Sequence, residues 1–326
     1  MIVRFGYVAM SVMVKNASPS KTMTATHFSG LEDREAAVRK LERIAMENLH
    51  NTLRLLRHNR AYDIKLYRFS SKLIPLIGHE LLEGWDPFPQ LAASFQELGE
   101  YVRLHKMRTS FHPDHFTVLS SPREQVIRQS MQDLHTHVRM LDAMGLDETA
   151  KCNIHIGGTY GDRKTAIERF IKQFRQLDPA IQRRITLEND DKTFTALETL
   201  TACEEVGVPM VLDIHHHQVN DGGIDAVALW SRIQRTWENE PNNGVSSPLP
   251  PKIHVSSPKS EKEPRAHADY VDKDQLLGFL RSIADQTPRV DVMIEAKQKD
   301  GALFRLMEEL AGEEGVTAID QAAIEL

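Results

Sequence analysis

The chain has 326 residues, 41% hydrophobic and 26% charged, a composition that excludes disordered, collagenous and membrane-embedded proteins. Its 40 Lys and Arg against 46 Asp and Glu leave a net charge of −6, too mild to decide for or against a polyanionic partner. Two Cys cannot build a disulfide framework and point to a reducing compartment, whereas 15 His direct any bound metal to nitrogen and oxygen ligands.

The N-terminus comes first. Residues 5–14 are apolar behind Arg4, but Lys15 ends the run and no small-residue cleavage site follows. The segment therefore reads as a buried first strand, not a signal peptide. No run of ~18 apolar residues offers a membrane span, and a cytoplasmic location is expected. Further short, β-branched runs follow at 64–69, 108–112, 152–156, 185–188, 210–214, 252–255 and 290–295. Between the runs, 33–59, 89–107, 124–144, 164–177, 195–206, 223–238 and 273–285 carry apolar residues at helical spacing. Eight strands alternating with helices predict a single (β/α)8 TIM barrel, with its active site at the C-terminal ends of the strands. The Pro/Asn/Ser-rich stretch 240–251 is too short to divide domains. One barrel domain is expected over 1–300, with 301–326 as a last helix and a loose acidic tail containing Glu308, Glu309, Glu313 and Glu314.

The strand ends carry the chemistry. His79 lies beyond the second strand, and His112 closes the third. Asn153 and His155 close the fourth, Glu188 the fifth, and Asp213 the sixth, ahead of His215, His216 and His217. The seventh holds Lys252 and His254, with His267 in the loop beyond, and Glu295 ends the eighth. A single histidine at a strand end is usually a hydrogen-bonded structural residue. Nitrogen or oxygen ligands on six consecutive strands are another matter. Glu188, Asp213 and Glu295 around one mouth would bury negative charge at several kcal/mol each unless cations compensate. Neighbouring imidazoles make metal ions better counter-charges than Lys or Arg. Lys252 and His254 are two apart and share a face. An ammonium there would be repelled by divalent ions, leaving a neutral amine, an anionic carbamate formed with CO2, or a side chain swung to solvent. Cys152 has the opposite parity to His155 and Cys203 sits in a helix, so neither is a catalytic thiol.

The ordered strings RFGYV (4–8), YRFSS (67–71), GHE (78–80), SFHPDHFTVL (110–119), NIHIGG (153–158), LEND (187–190), VLDIHHH (211–217), KIHVSSPK (252–259) and IEAK (294–297) together resemble the UV DNA damage endonuclease family. The likeness runs from residue 2 to about 310, and that family is similar to the AP endonucleases of the xylose-isomerase-like barrels. The resemblance implies three divalent metal ions, usually Mn2+, with Zn2+ or Mg2+ as substitutes. His112, His155 and Glu188 would hold the first. Glu188 would bridge to a second on Asp213, His254 and Glu295, and His216, His267 and carboxylated Lys252 would complete the third. His79 matches a family histidine at the site and joins Glu188 and Lys252 as a catalytic candidate. The implied partner is double-stranded DNA carrying UV lesions, nicked immediately 5′ to the photoproduct by a nucleoid-associated monomer.

The chain departs from the family at the loop after the third strand. A Gly-Gln pair usually precedes the aromatic there, whereas this sequence has Asp114 and His115 before Phe116. Both rings are flat and able to fill a gap in the base stack, though the Gly-to-Asp change alters the loop. DNA contacts are expected from Tyr7, His115, Phe116, Arg163, Lys164 and Lys259, with Arg103, Lys106, Arg108, Lys262 and Arg265 as further cations. Core packing is the alternative role for Phe116 and Tyr7. Two competing functions stand beside the endonuclease. A sugar isomerase of the same barrel would need a narrow pocket, and a lesion-binding protein would bind DNA without nicking it.

Overall fold

The computed structural model describes residues 1–238 and 249–326. Eight parallel strands form its centre: β1 (Ile2–Val8), β2 (Leu66–Arg68), β3 (Arg108–Phe111), β4 (Lys151–Ile154), β5 (Ile185–Glu188), β6 (Met210–Asp213), β7 (Lys252–Val255) and β8 (Arg289–Ile294). Each pairs with the next, and β1 pairs with β8 from Ile2↔Arg289 to Tyr7↔Ile294, which closes the barrel. One long helix follows each strand: α1 (Arg34–Ala61), α2 (Phe88–Leu104), α3 (Glu124–Ala143), α4 (Arg163–Phe174), α5 (Ala196–Val206), α6 (Ala226–Glu238), α7 (Lys273–Ile283) and α8 (Lys299–Leu310). This is the (β/α)8 TIM barrel that the sequence pattern predicts.

Local chemistry sets the element boundaries. Asp33, Asp162 and Asp272 cap α1, α4 and α7, each side chain accepting a first-turn backbone N–H. Thr195 and Glu198 form a reciprocal capping box at α5, and Gly207 ends that helix at φ 73°. Glycine is required at Gly6, where a Cβ would run into the Leu66 backbone as β1 and β2 approach. The helices lay apolar stripes over the strands. Buried Trp230 and Trp237 satisfy their indole N–H groups on Thr287 Oγ1 and the Met210 carbonyl, both at 2.7 Å. No helix among the described residues is long and apolar enough to cross a membrane.

Two departures from the sequence reading stand out. The C-terminal tail is not loose: Thr317–Asp320 and Ala323–Glu325 form a hairpin, and the second strand pairs antiparallel with Ile2, Val3 and Arg4 of β1. Three-residue β2 reaches only Gly6–Val8, so the first half of β1 has an edge free to accept this partner. Glu308 and Glu309 belong to α8, and Glu313 pairs with Lys273. A second hairpin, Pro258–Ser260 with Glu263–His267, stands on the mouth after β7. Most of the 240–251 stretch lies outside the described residues.

Candidate metal centre

Register brings the strand-end residues into one layer. Asp213 lies beside His254 in the β6–β7 pairing, and His254 beside Met293 of β8, one turn of backbone before Glu295. Two donor groups result. His112, His155 and Glu188 form the first and Glu188, Asp213, His254 and Glu295 the second, with ligand atoms of each group within 4.8 Å of one another. Glu188, the shared member, is buried, its carboxylate 3.1 Å from His112 Nε2 and 3.2 Å from His254 Nδ1.

Backbone carbonyls aim the imidazoles. Nδ1 of His112 donates to the Pro113 carbonyl at 3.0 Å, His155 to Glu188 at 3.2 Å, His216 to Asn189 at 2.9 Å and His267 to Glu295 at 2.8 Å. Each bond fixes the ring and leaves Nε2 as the ligating nitrogen, the usual arrangement behind a metal-bound histidine. His254 is the exception, since its Nδ1 faces Glu188 at 3.2 Å and Glu295 at 3.0 Å.

The decisive observation is a set of orphans. Glu188 Oε1, Asp213 Oδ2 and His254 Nδ1 are buried without a hydrogen-bond partner, and all three belong to the second group. Buried polar atoms are almost always satisfied, and these are the atoms a cation would take. The donor set is imidazole and carboxylate, which suits borderline or hard divalent ions such as Mn2+, Zn2+ or Mg2+. The thiols take no part, for burial pushes Cys152 up to about 12.

The protonation pattern reflects crowded charge. Burial pushes Asp213 up to about 6. Burial acts the same way on Glu188, but His254, His112 and His155 together hold its carboxyl well below the ordinary range. Glu295 is likewise held low, by Arg68 and His254 against burial. His254 rises to about 9, because Glu188 and Glu295 outweigh the burial that opposes its charge. His216 also rises to about 9 despite burial, through Asp213 and Glu188.

Other expected residues fall into three sets. His216 Nδ1 stands 3.5 Å from Glu188 and 3.8 Å from Asp213, just outside the groups, and His267 adjoins Glu295. Lys252 shares the face of His254 but sits two register pairs lower, opposite Asp291, buried with Nζ 3.2 Å from Ser110 Oγ. It has not swung to solvent, and burial with nearby Arg108 holds its amine well below the ordinary range. Neither His216 nor His267 is a member of the two donor groups. His79 is apart from the donors: its Nδ1 accepts from Leu81 N, and it lines a cleft of about 420 Å3 with Gln129, Gln132 and Asp133.

The DNA-facing set divides. His115 and Phe116 are exposed with ring centroids 4.0 Å apart, Phe116 by 72%, so the loop aromatic is no core residue. Tyr7 is the correction. It is fully buried, donating to Asn59 Oδ1 at 2.6 Å, because its parity on β1, opposite to that of Arg4, turns it away from the barrel interior and under α1. Arg163 reaches Glu198 at 3.0 Å, Lys259 pairs with Glu263 at 2.5 Å, and Lys164 is exposed. Exposed ion pairs of this kind contribute at most about 1 kcal/mol. Arg103, Lys106 and Arg108 precede the β3 exit and lie at the opposite end; Arg108 is buried on Asp291 at 2.6 Å.

Sequence reasoning gave no role to Arg68, which ends β2 and pairs with Glu295. It counted Asn153 only among the strand-end donors, whereas here it donates to Glu188, and gave no role to Asn189, which bridges the Asp213 backbone at 2.8 and 2.9 Å. The available signal was position, since all three end strands next to the acidic ring.

A closed barrel with nitrogen and oxygen donors converging at the strand exits defines a TIM-barrel protein with a donor cluster able to hold metal. The chain belongs to the UV-endonuclease UvdE family, whose model matches residues 3–326. It is 46% identical to a UV DNA damage endonuclease of Halalkalibacterium halodurans over 100% of this chain and 99% of that one. It is 39% identical to one of Bacillus cereus over the whole of both. The crystal structure of SacUVDE superposes with a TM-score of 0.79 at 27% identity, covering 92% of this chain and 95% of the other. Endonuclease IV of Thermus thermophilus, at a TM-score of 0.53 and 13% identity over 94% of this chain and 98% of that one, shares the fold.

Proposed function

We propose that this protein is a metal-dependent endonuclease that hydrolyses the phosphodiester immediately 5′ to UV photoproducts in double-stranded DNA. Cyclobutane dimers and 6–4 photoproducts are its principal targets, abasic sites a further one, and the products carry 3′-hydroxyl and 5′-phosphate ends. The reading is carried by the orphaned atoms of Glu188, Asp213 and His254 around one carboxylate common to two donor groups. Clustered divalent ions, when bound, lower the pKa of water and neutralise a phosphate.

The chain's own residues prepare that site. Carbonyl-anchored His112 and His155 present Nε2 nitrogens, Arg68 steadies Glu295, and Asn153 steadies Glu188. His216, His267 and Lys252 would hold a third ion, with Lys252 as a carbamate. Its buried, readily neutral amine supports that role, because CO2 reacts only with the free base. His115 and Phe116 would enter the gap that a poorly stacked photoproduct leaves. Lys164, Arg163 and Lys259 would meet phosphates, the last two exchanging weak carboxylate partners for them. His79 would act through the loop that carries it. Family membership and the exposed aromatic pair favour this substrate over a small sugar. The protein would work as a monomer at the nucleoid.

The test uses UV-irradiated and intact supercoiled plasmid, each with Mn2+ or with EDTA. Nicking confined to irradiated plasmid with Mn2+ is expected. Equal nicking of both plasmids, or nicking indifferent to EDTA, would overturn the proposal.

A further inference from the structure

Exposed apolar side chains are concentrated at one end of the molecule. Met10, Val12 and Met13 follow β1, Phe116 follows β3, Tyr160 follows β4 and Tyr270 lies between β7 and α7. All six belong to strand-to-helix connections on the face of the metal centre; only Met46, Leu104 and Ile319 lie elsewhere among the described residues. The β1 connection is the densest of these, with exposures of 43% for Met10, 51% for Val12 and 49% for Met13. Three consecutive-loop apolar side chains held in water mark an interaction site.

The loop is built, not frayed. Buried Asp300 of α8 accepts from Ser11 Oγ and, at 2.9 Å, from Val12 N, and His58 Nε2 stands 3.0 Å from the same carboxylate. Ser11 Oγ accepts from Met13 N at 3.0 Å and Val14 N at 2.9 Å. Arg54 takes the carbonyls of Lys15 and Asn16 at 3.1 and 2.8 Å. At its base, Ala9 N donates to the carbonyl of Arg68, whose guanidinium pairs with Glu295 of the donor group. The base of the apolar loop is thus one residue, Arg68, away from the donor group.

We infer that the loop after β1 is an apolar wedge that packs into the minor groove of the DNA beside the metal centre. Charge supports this occupant: residues 9–21 contain no acid and carry exposed Lys15, while Lys21 pairs with Glu47. Apolar wedges from rigid loops enter DNA from the minor groove, where they part base steps. The inference rests on the DNA reading above and adds a contact outside the His115–Phe116 loop.

The test is peroxide footprinting of the full chain, reading methionine sulfoxide by peptide mass spectrometry. It compares free protein, protein with an intact duplex and protein with the irradiated duplex, with binding followed by gel shift. Oxidation of Met10 and Met13 is expected to slow about fivefold on DNA, with Met46 of α1, exposed elsewhere, unchanged. The Met10→Ser, Val12→Ser, Met13→Ser variant, which keeps Ser11 and Asp300, is expected to bind irradiated duplex about tenfold more weakly with unchanged Mn2+ binding. Bound duplex without protection of Met10 and Met13 overturns the wedge and leaves the endonuclease reading standing. Protection that deepens with protein concentration and no DNA assigns the patch to a second copy and also overturns it. No duplex binding by the native protein defeats both.

Discussion

Without metal, protons hold the carboxylates of the centre together, and that makes a measurable prediction. His254 and His216 are both raised to about 9 by Glu188, Glu295 and Asp213, against burial that opposes their charge. An unfolded histidine titrates near 6.5. A raised folded value means the stabilising charge is fully present below about 6.5 and is lost as pH rises through about 9. The interval corresponds to about 3 kcal/mol per ring, less for the pair because both lean on Glu188. Asp213, pushed up to about 6 by burial, titrates below this window. Melting temperature is the wrong readout, because Lys151, pulled down to about 7 by burial and Arg108, gains stability as pH rises through the same range. Proton release is the right one. Ligation requires neutral imidazole, so Mn2+ binding near pH 7.5 should expel about two protons and tighten by up to about two decades per pH unit. Calorimetry in buffers of different ionisation enthalpy, from pH 6.5 to 8.5, counts them. No proton release at pH 7.5, with an affinity unchanged across the range, would refute the assignment of His254 and His216 to the metal centre.

Glu188→Gln keeps the shape of the shared carboxylate and removes its charge, so Mn2+ affinity should fall by about 100-fold or more and nicking should vanish with the fold intact by circular dichroism; retained metal and activity would refute the bridging role. His115→Ala with Phe116→Ala should weaken binding to irradiated duplex about tenfold more than to intact duplex, and equal losses would return the pair to a general contact. Lys252→Arg fixes a charge that cannot react with CO2 and should cost one bound Mn2+ per chain and most nicking; an unchanged metal count by elemental analysis would refute the carbamate.

The barrel was legible because each strand is a short β-branched run between amphipathic helices, and the donors because they fall where those runs end. Parity placed His155 on the opposite face from Cys152, and the burial of Cys152 bears that out. The same rule, applied to Tyr7, would have placed it under the helix layer, opposite in parity to Arg4, and so away from the mouth. What remained illegible depends on distance. Nothing local in 317–325 says that a hairpin there finds a free edge on β1, since that edge exists only because β2 is three residues long. Arg68 reads as an ordinary strand-end cation until barrel closure carries β8 and its Glu295 alongside. Arg108 reads as a surface charge until register sets it against Asp291.

The charge of the mouth resolves how an acidic chain can serve a polyanionic substrate. Glu188, Asp213 and Glu295 contribute three negative charges and Arg68 one positive, and protonated His254 and His216 bring the metal-free centre to neutrality. Two divalent ions on the two donor groups, with both rings neutral, would reverse this to an excess of two positive charges. That excess sits among largely buried side chains at the strand exits, where fields are screened far less than at the surface. The −6 is dilute over 326 residues, and charges beyond a Debye length of about 8 Å scarcely oppose a phosphate at the mouth. The proposed function therefore predicts that affinity for DNA follows occupancy of the centre more than the exposed lysines and arginines, several of which already hold carboxylates. On that proposal, the same side chains that would hold the ions also set the sign of the surface a phosphate would meet.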